Sequence, residues 1–132
     1  MEDCIFCKIA AGEVPSHKIY EDEDVLAFLD IYPAVEGFTV VIPKKHSSFI
    51  WDMGDADYVK LMSSVKKVGT RIREVLQPKR VGIHVEGLHV EHAHVKVFGF
   101  STPEEFHAEG DMNREPEHDK LSKIAESLRI AE

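Results

Sequence analysis

At 132 residues with 43% hydrophobic content, the chain is long enough to bury one core and too short for two comfortable domains, so a single domain over 1–132 is expected. A formal net charge of −8 argues against a broad footprint for DNA or RNA, whose phosphates are held by clustered Lys and Arg; a small phosphorylated ligand would have to use Lys44, Lys45, Lys96 and the histidines. No run approaches the roughly 18 apolar residues of a membrane span, and MEDCIFCKIAAGEVP is acidic where a secretory leader is basic, which predicts a soluble, cytoplasmic protein without a membrane partner.

The only two cysteines, Cys4 and Cys7, are too close to staple a fold, and a C-x-x-C pair in a reducing compartment reads as a metal or a redox site. Redox chemistry of the thioredoxin kind would place the pair between a strand and a helix; its position at the start of the sequence favours metal. Ile5, Ile9 and Ala10 fall at helical spacing before Gly12 and Pro15, predicting a short helix over 4–11. Strands are predicted over 17–21 and 25–30, joined through the charged turn EDED as a hairpin, and FTVVIP predicts a buried strand that cannot continue past Pro43. From Asp55 to Leu76, the residues Val59, Met62, Val65, Ile72 and Leu76 recur every three or four positions, which predicts one long helix with that stripe on the sheet. Residues 80–86 and 90–98 read as two strands joined by a turn at Gly87. The acidic tail from Ser101 carries Leu121, Ile124 and Leu128 at helical spacing, predicting a final amphipathic helix over 118–130.

Four of the eight histidines, His84, His89, His92 and His94, lie within eleven residues. On a strand, His92, His94 and Lys96 would project from one face about 7 Å apart, with Ala93, Val95 and Val97 facing the core. Two imidazoles beside an ammonium suit chemistry on phosphate, because a neutral imidazole can attack phosphorus and fixed positive charge stabilises the transition-state oxygens. The same cluster could chelate a metal through His92 and His94, or be surface histidines on an exposed strand. The residues alone go no further than phosphate or metal chemistry.

The segment EHAHVKV resembles the signature H-φ-H-φ-H-φ-φ of the histidine triad family, and CIFCKIAAGEVPSHKIYEDEDVLAFLDI and FTVVIPKKH are similar to that family's N-terminal half. The match runs over about residues 3–100 and leaves the tail 101–132 outside it. It implies an α+β fold with a five-stranded antiparallel sheet, one long helix, a short N-terminal helix and here a C-terminal helical tail, paired as a homodimer. It also implies a site for a purine nucleotide or nucleotide conjugate, with His94 as the nucleophile that forms a nucleotidyl-histidine intermediate and water as its acceptor. Substrates of the family include nucleoside phosphoramidates, adenylated compounds and dinucleoside polyphosphates. Asp30 matches the residue that binds the ribose hydroxyls, a role suited to an acceptor of two hydrogen bonds, although a strand-ending turn residue reads the same. Ile5, Phe6, Ile9, Phe28 and Ile31 match the apolar walls of the base pocket. In the C-x-x-C branch, and in the related galactose-1-phosphate uridylyltransferases, zinc is held by residues matching Cys4, Cys7, His46 and His92, a closed tetrahedral and therefore structural set.

The sequence departs from the family pattern at its third signature histidine, where Lys96 stands. An unperturbed lysine, with pKa about 10.4, is a poor proton shuttle near neutrality and a good phosphate ligand. The uridylyltransferases carry glutamine there and pass the nucleotide to a phosphate instead of to water. Phe38 replaces a common histidine, Leu88 a glutamine, and His84 an asparagine that binds phosphate; His84 and His89 are the residues that could restore phosphate contacts, with His89 equally readable as a solvated turn residue. The expected function is a nucleotide hydrolase using His94 and Lys96. A nucleotidyltransferase and a non-catalytic, zinc-stabilised nucleotide-binding module are the alternatives.

Overall fold

The computed structural model describes residues 3–131. In chain order the elements are α1 (Ile5–Ala10), β1 (Lys18–Glu21), β2 (Val25–Leu29), β3 (Thr39–Pro43), a 3₁₀ turn (Ile50–Asp52), α2 (Asp55–Leu76), β4 (Arg80–His84), β5 (Val95–Phe100), α3 (Pro103–His107) and α4 (His118–Leu128). The strands form one antiparallel sheet in the order β1-β2-β3-β5-β4, the five-stranded α+β arrangement expected from the sequence.

VLAFL and TVVIP are buried along their whole length because both faces of β2 and β3 are covered. On one face Leu26, Phe28, Val40 and Ile42 pack with Ile9, Phe6 and Ala10 of α1. On the other, Val25, Ala27, Leu29, Val41, Val95 and Val97 meet Leu61, Val65, Val68 and Ile72 of α2 and Leu121, Ala125 and Leu128 of α4. The β1–β2 turn closes through Asp22, whose Oδ1 accepts from the amides of Asp24 and Val25 at 2.8 Å each. Before β3, Gly37 adopts φ +81°, with Leu76 of α2 standing where a side chain would go. No helix among the described residues is long and apolar enough to cross a membrane.

Three expectations are corrected. The strand predicted over 90–98 runs from Val95 to Phe100, and β4 stops at His84, so residues 85–94 are a loop and not a turn at Gly87. Ala93 donates its amide to Ser47 O at 2.6 Å, so the backbone of this segment is tied to the chain that follows β3 instead of to the ladder. Within the long helix, Val59 is exposed, and Leu61 and Val68, outside the predicted stripe, are buried in the core. In the tail, a further helix, α3, precedes α4, which ends at Leu128. Thr102-Pro103-Glu104-Glu105 builds the start of α3: Thr102 Oγ1 accepts from the Glu105 amide at 3.1 Å, and Glu105 Oε1 accepts from the Ser101 amide at 2.6 Å.

Candidate metal centre and active site

Four side chains from three distant parts of the chain converge under α1. Cys4 caps the helix, its Sγ accepting from the Cys7 amide at 3.2 Å, and so brings both sulfurs to the helix N-terminus. His46 comes from the segment after β3 and His92 from the loop before β5. Cys4 Sγ lies 3.3 Å from His92 Nδ1, Cys7 Sγ 3.3 Å from His46 Nδ1 and 3.4 Å from His92 Nδ1, and the two Nδ1 atoms are 3.2 Å apart. Donors about 2.0–2.3 Å from one tetrahedral ion stand roughly 3.3–3.8 Å from each other, so this set matches the edges of such a site. His92 is wholly buried, and its Nε2–H donates to Pro43 O at 2.7 Å, which leaves the Nδ1 lone pair directed at the sulfurs. Burial and the neighbouring Cys4 push the Cys7 thiol up to about 11, so a cation is what would let both sulfurs stand together as thiolates.

His94 follows two residues later and is 4% exposed. It does not share a strand face with His92, as alternation on a strand predicted, because both residues precede β5. Its Nδ1–H donates to His92 O at 2.7 Å, leaving Nε2 as the free basic nitrogen. Burial first, then the Lys96 ammonium, pushes its pKa below the usual imidazole range, so the ring is neutral near pH 7. Phe6 packs edge-on against His94 at 5.0 Å, His92 at 6.0 Å and Phe28 at 5.6 Å between centroids, joining the metal cluster to this ring.

Asp30 ends β2 with Oδ1 accepting from the Tyr32 amide at 2.8 Å. Burial raises its pKa against the downward pull of that amide, Lys96 and His94, which places the carboxylate within electrostatic reach of both side chains. Lys96, part-buried on β5, faces His84 across the β4–β5 ladder and has Glu86 Oε1 3.6 Å from its Nζ. Of the expected base-pocket residues, Phe6, Ile9 and Phe28 share one cluster, and Ile5 is exposed at the start of α1. Ile31 packs instead against the core beneath α2 and α4. His84 lies edge-on to Phe98 and Phe106, each at 4.8 Å, and His89 is exposed in the 85–94 loop.

The sequence reading missed Glu86, which looks like any loop acid, and Phe106, the lone aromatic of an acidic tail. The capping pattern at Thr102 was the available signal for α3 and hence for Phe106.

Residues 11–101 match the family model for the HIT domain. The chain belongs to the HIT family. It is 41% identical over 99 residues to Protein hit of Bacillus subtilis, covering 75% of this chain and 67% of that one. It is 33% identical over 129 residues to the adenosine 5'-monophosphoramidase HNT1 of Saccharomyces cerevisiae, covering 95% and 80%. Among solved HIT structures, a Zn-bound histidine triad family protein from Mycobacterium smegmatis superposes with a TM-score of 0.76 at 26% identity over 96% of this chain and 94% of that one. Residues 102–131, with α3 and α4, lie beyond the family match.

Proposed function

We propose that this protein is a nucleotide hydrolase that cleaves phosphate-linked adenosine or guanosine conjugates through a nucleotidyl group carried on His94. The observation that carries the reading is the state of His94: buried, neutral near pH 7, with Nδ1–H committed to the His92 carbonyl and Nε2 free. In the first step Nε2 attacks the α-phosphorus, the P–Nε2 bond forms, and the bond to the leaving group breaks with its electron pair going to that group. Lys96, which stands in place of the third signature histidine, stabilises charge on the phosphoryl oxygens. In the second step water takes the nucleotidyl group and releases the nucleoside monophosphate. The phosphoramidase name of the yeast relative supports the substrate class. The direct test is intact-mass spectrometry after a rapid, acid-free quench with adenosine 5'-phosphoramidate: an adenylyl adduct on the wild-type protein that is absent from His94→Ala.

Asp30 binds the ribose hydroxyls in this reading. It does so as a carboxylate, and because its pKa is raised, the proton that removes an acceptor arrives at a higher pH than for an exposed aspartate. The preference for a ribonucleotide over its 2',3'-dideoxy counterpart is therefore expected to be roughly 10–100-fold near pH 7 and to fall as the pH is lowered, before ordinary carboxylates titrate. Asp30→Asn should lack the preference at every pH. A ratio of dissociation constants that stays flat from pH 7 to 4 would count against the assignment.

Zinc is the metal we assign to Cys4, Cys7, His46 and His92, supported by the donor chemistry and by the Zn-bound relative. Four protein donors would leave no open position, so the ion would tie α1 to the segments before β5 and after β3 and take no part in bond breaking. Homodimerisation belongs to the same reading: β4 is an edge strand, and Ile83, Val85 and Leu88 are exposed on it and just beyond it, an apolar edge that a second copy would cover. A monomer by sedimentation at micromolar concentration would remove that part. Transfer to a phosphate acceptor is the second reading, favoured by Lys96, which binds phosphate and does not relay protons. Labelled phosphate captured faster than water reacts would establish it.

A further inference from the structure

We propose that Glu86 is the general base of the hydrolytic step, accepting the proton of the water that attacks the nucleotidyl group on His94; this rests on the reading of His94 as nucleophile. The placement comes from the end of the β4–β5 ladder and from the ion pair with Lys96. Ile83 pairs with Val97 and His84 with Lys96, the last pair of the ladder, and Glu86 and His94 each lie two residues beyond that pair on the two chain segments that leave it. Glu86 Oε1 lies 3.6 Å from Lys96 Nζ, so its carboxylate stands beside the side chain two residues from His94. The Glu86 charge is also felt at the His94 ring, where it opposes the effect of Lys96. Gly87, at φ +71°, turns the chain directly after it.

Among the described residues, no other group near His94 suits the task. Lys96 as an ammonium has no lone pair to accept a proton. Asp30 is more deeply buried and is engaged with the Tyr32 amide. His84 holds its ring against Phe98 and Phe106, within the ladder opposite Lys96. Glu86 is 41% exposed, in contact with solvent, and the Lys96 ion pair orients it without burying it. Water oxygen forms the new bond to phosphorus, the P–Nε2 bond breaks with its electron pair returning to the imidazole, and the water proton passes to the Glu86 carboxylate and then to solvent. A carboxylate held by Lys96 thus supplies the proton transfer that Lys96 itself cannot.

The experiment is a single turnover of the zinc-loaded full chain with adenosine 5'-phosphoramidate, following the adenylyl adduct by intact mass against time. Glu86→Gln is expected to form the adduct within a few-fold of the wild-type rate and to lose it roughly 100-fold more slowly, the scale of general-base catalysis. Glu86→Asp should recover part of the decay rate. Hydroxylamine, a nucleophile that needs no base, should discharge the wild-type and Glu86→Gln adducts alike. Glu91→Gln, which removes another acid of the same exposed loop, should decay as the wild type does. An adduct on Glu86→Gln that decays at the wild-type rate overturns the proposal and leaves His94 in place. Formation and decay slowed equally would also overturn it, reducing Glu86 to a partner that positions Lys96. No adduct on either protein overturns the His94 reading, and the base with it.

Discussion

His94→Ala is expected to lower turnover of an adenosine phosphoramidate by roughly 10⁴–10⁶-fold, because it removes the atom to which the nucleotidyl group is transferred. In the proposed reading nucleotide affinity should change far less, since Asp30, Lys96 and the apolar cluster of Phe6, Ile9 and Phe28 remain. The substitution leaves a gap beside Phe6, which packs on the ring at 5.0 Å, so part of any loss could come from disorder of α1. His94→Asn fills more of that space and is not a comparable nucleophile; it should be as inactive as alanine while melting closer to the wild type. Steady-state turnover within tenfold of wild type in either variant would remove His94 from the chemistry.

Stripping the metal is expected to lower the melting temperature by about 10–20 °C, the consequence of losing a ligand bound near 1,000-fold above its dissociation constant, worth about 4 kcal/mol, in a protein of this size. The reason is local. A helix of six residues such as α1 has little stability of its own, and beside the packing of Phe6, Ile9 and Ala10 an ion shared by Cys4, Cys7, His46 and His92 would fasten it to the rest of the chain. Phe6 sits on that helix and packs on His94, so chelation should also cut activity although the ion contacts no substrate. Cys7→Ser should melt low with or without chelator and bind less zinc. Protein that purifies without zinc and melts at the same temperature after zinc is added would sink the assignment.

Much of the fold was legible because it rests on local periodicity. The 22 residues of α2 begin with Asp55 and Asp57, which suit a helix N-terminus, and carry an apolar stripe at the right spacing. The central strands β2 and β3 are apolar runs bounded by turn residues and by Pro43, which cannot donate to a ladder. Cys4, Cys7, His92 and His94 stood out for a different reason: cysteine pairs and clustered histidines are rare, whereas His46 was named only through the histidine triad resemblance.

What the sequence by itself determined, then, was the kind of each element and the residue types able to do chemistry. The tertiary structure decided where β5 begins, since Ala93 gives its amide to Ser47 and not to a strand partner, and so decided that His92 and His94 bury their rings in different surroundings instead of lining one exposed face. It also decided that Leu61 and Val68 meet the sheet while Val59 does not, that Phe106 of α3 covers His84, and that Glu86 reaches Lys96. The division has a physical cause. Spacing along the chain reports which face of an element is apolar, whereas the partner that face meets depends on packing between segments distant in sequence.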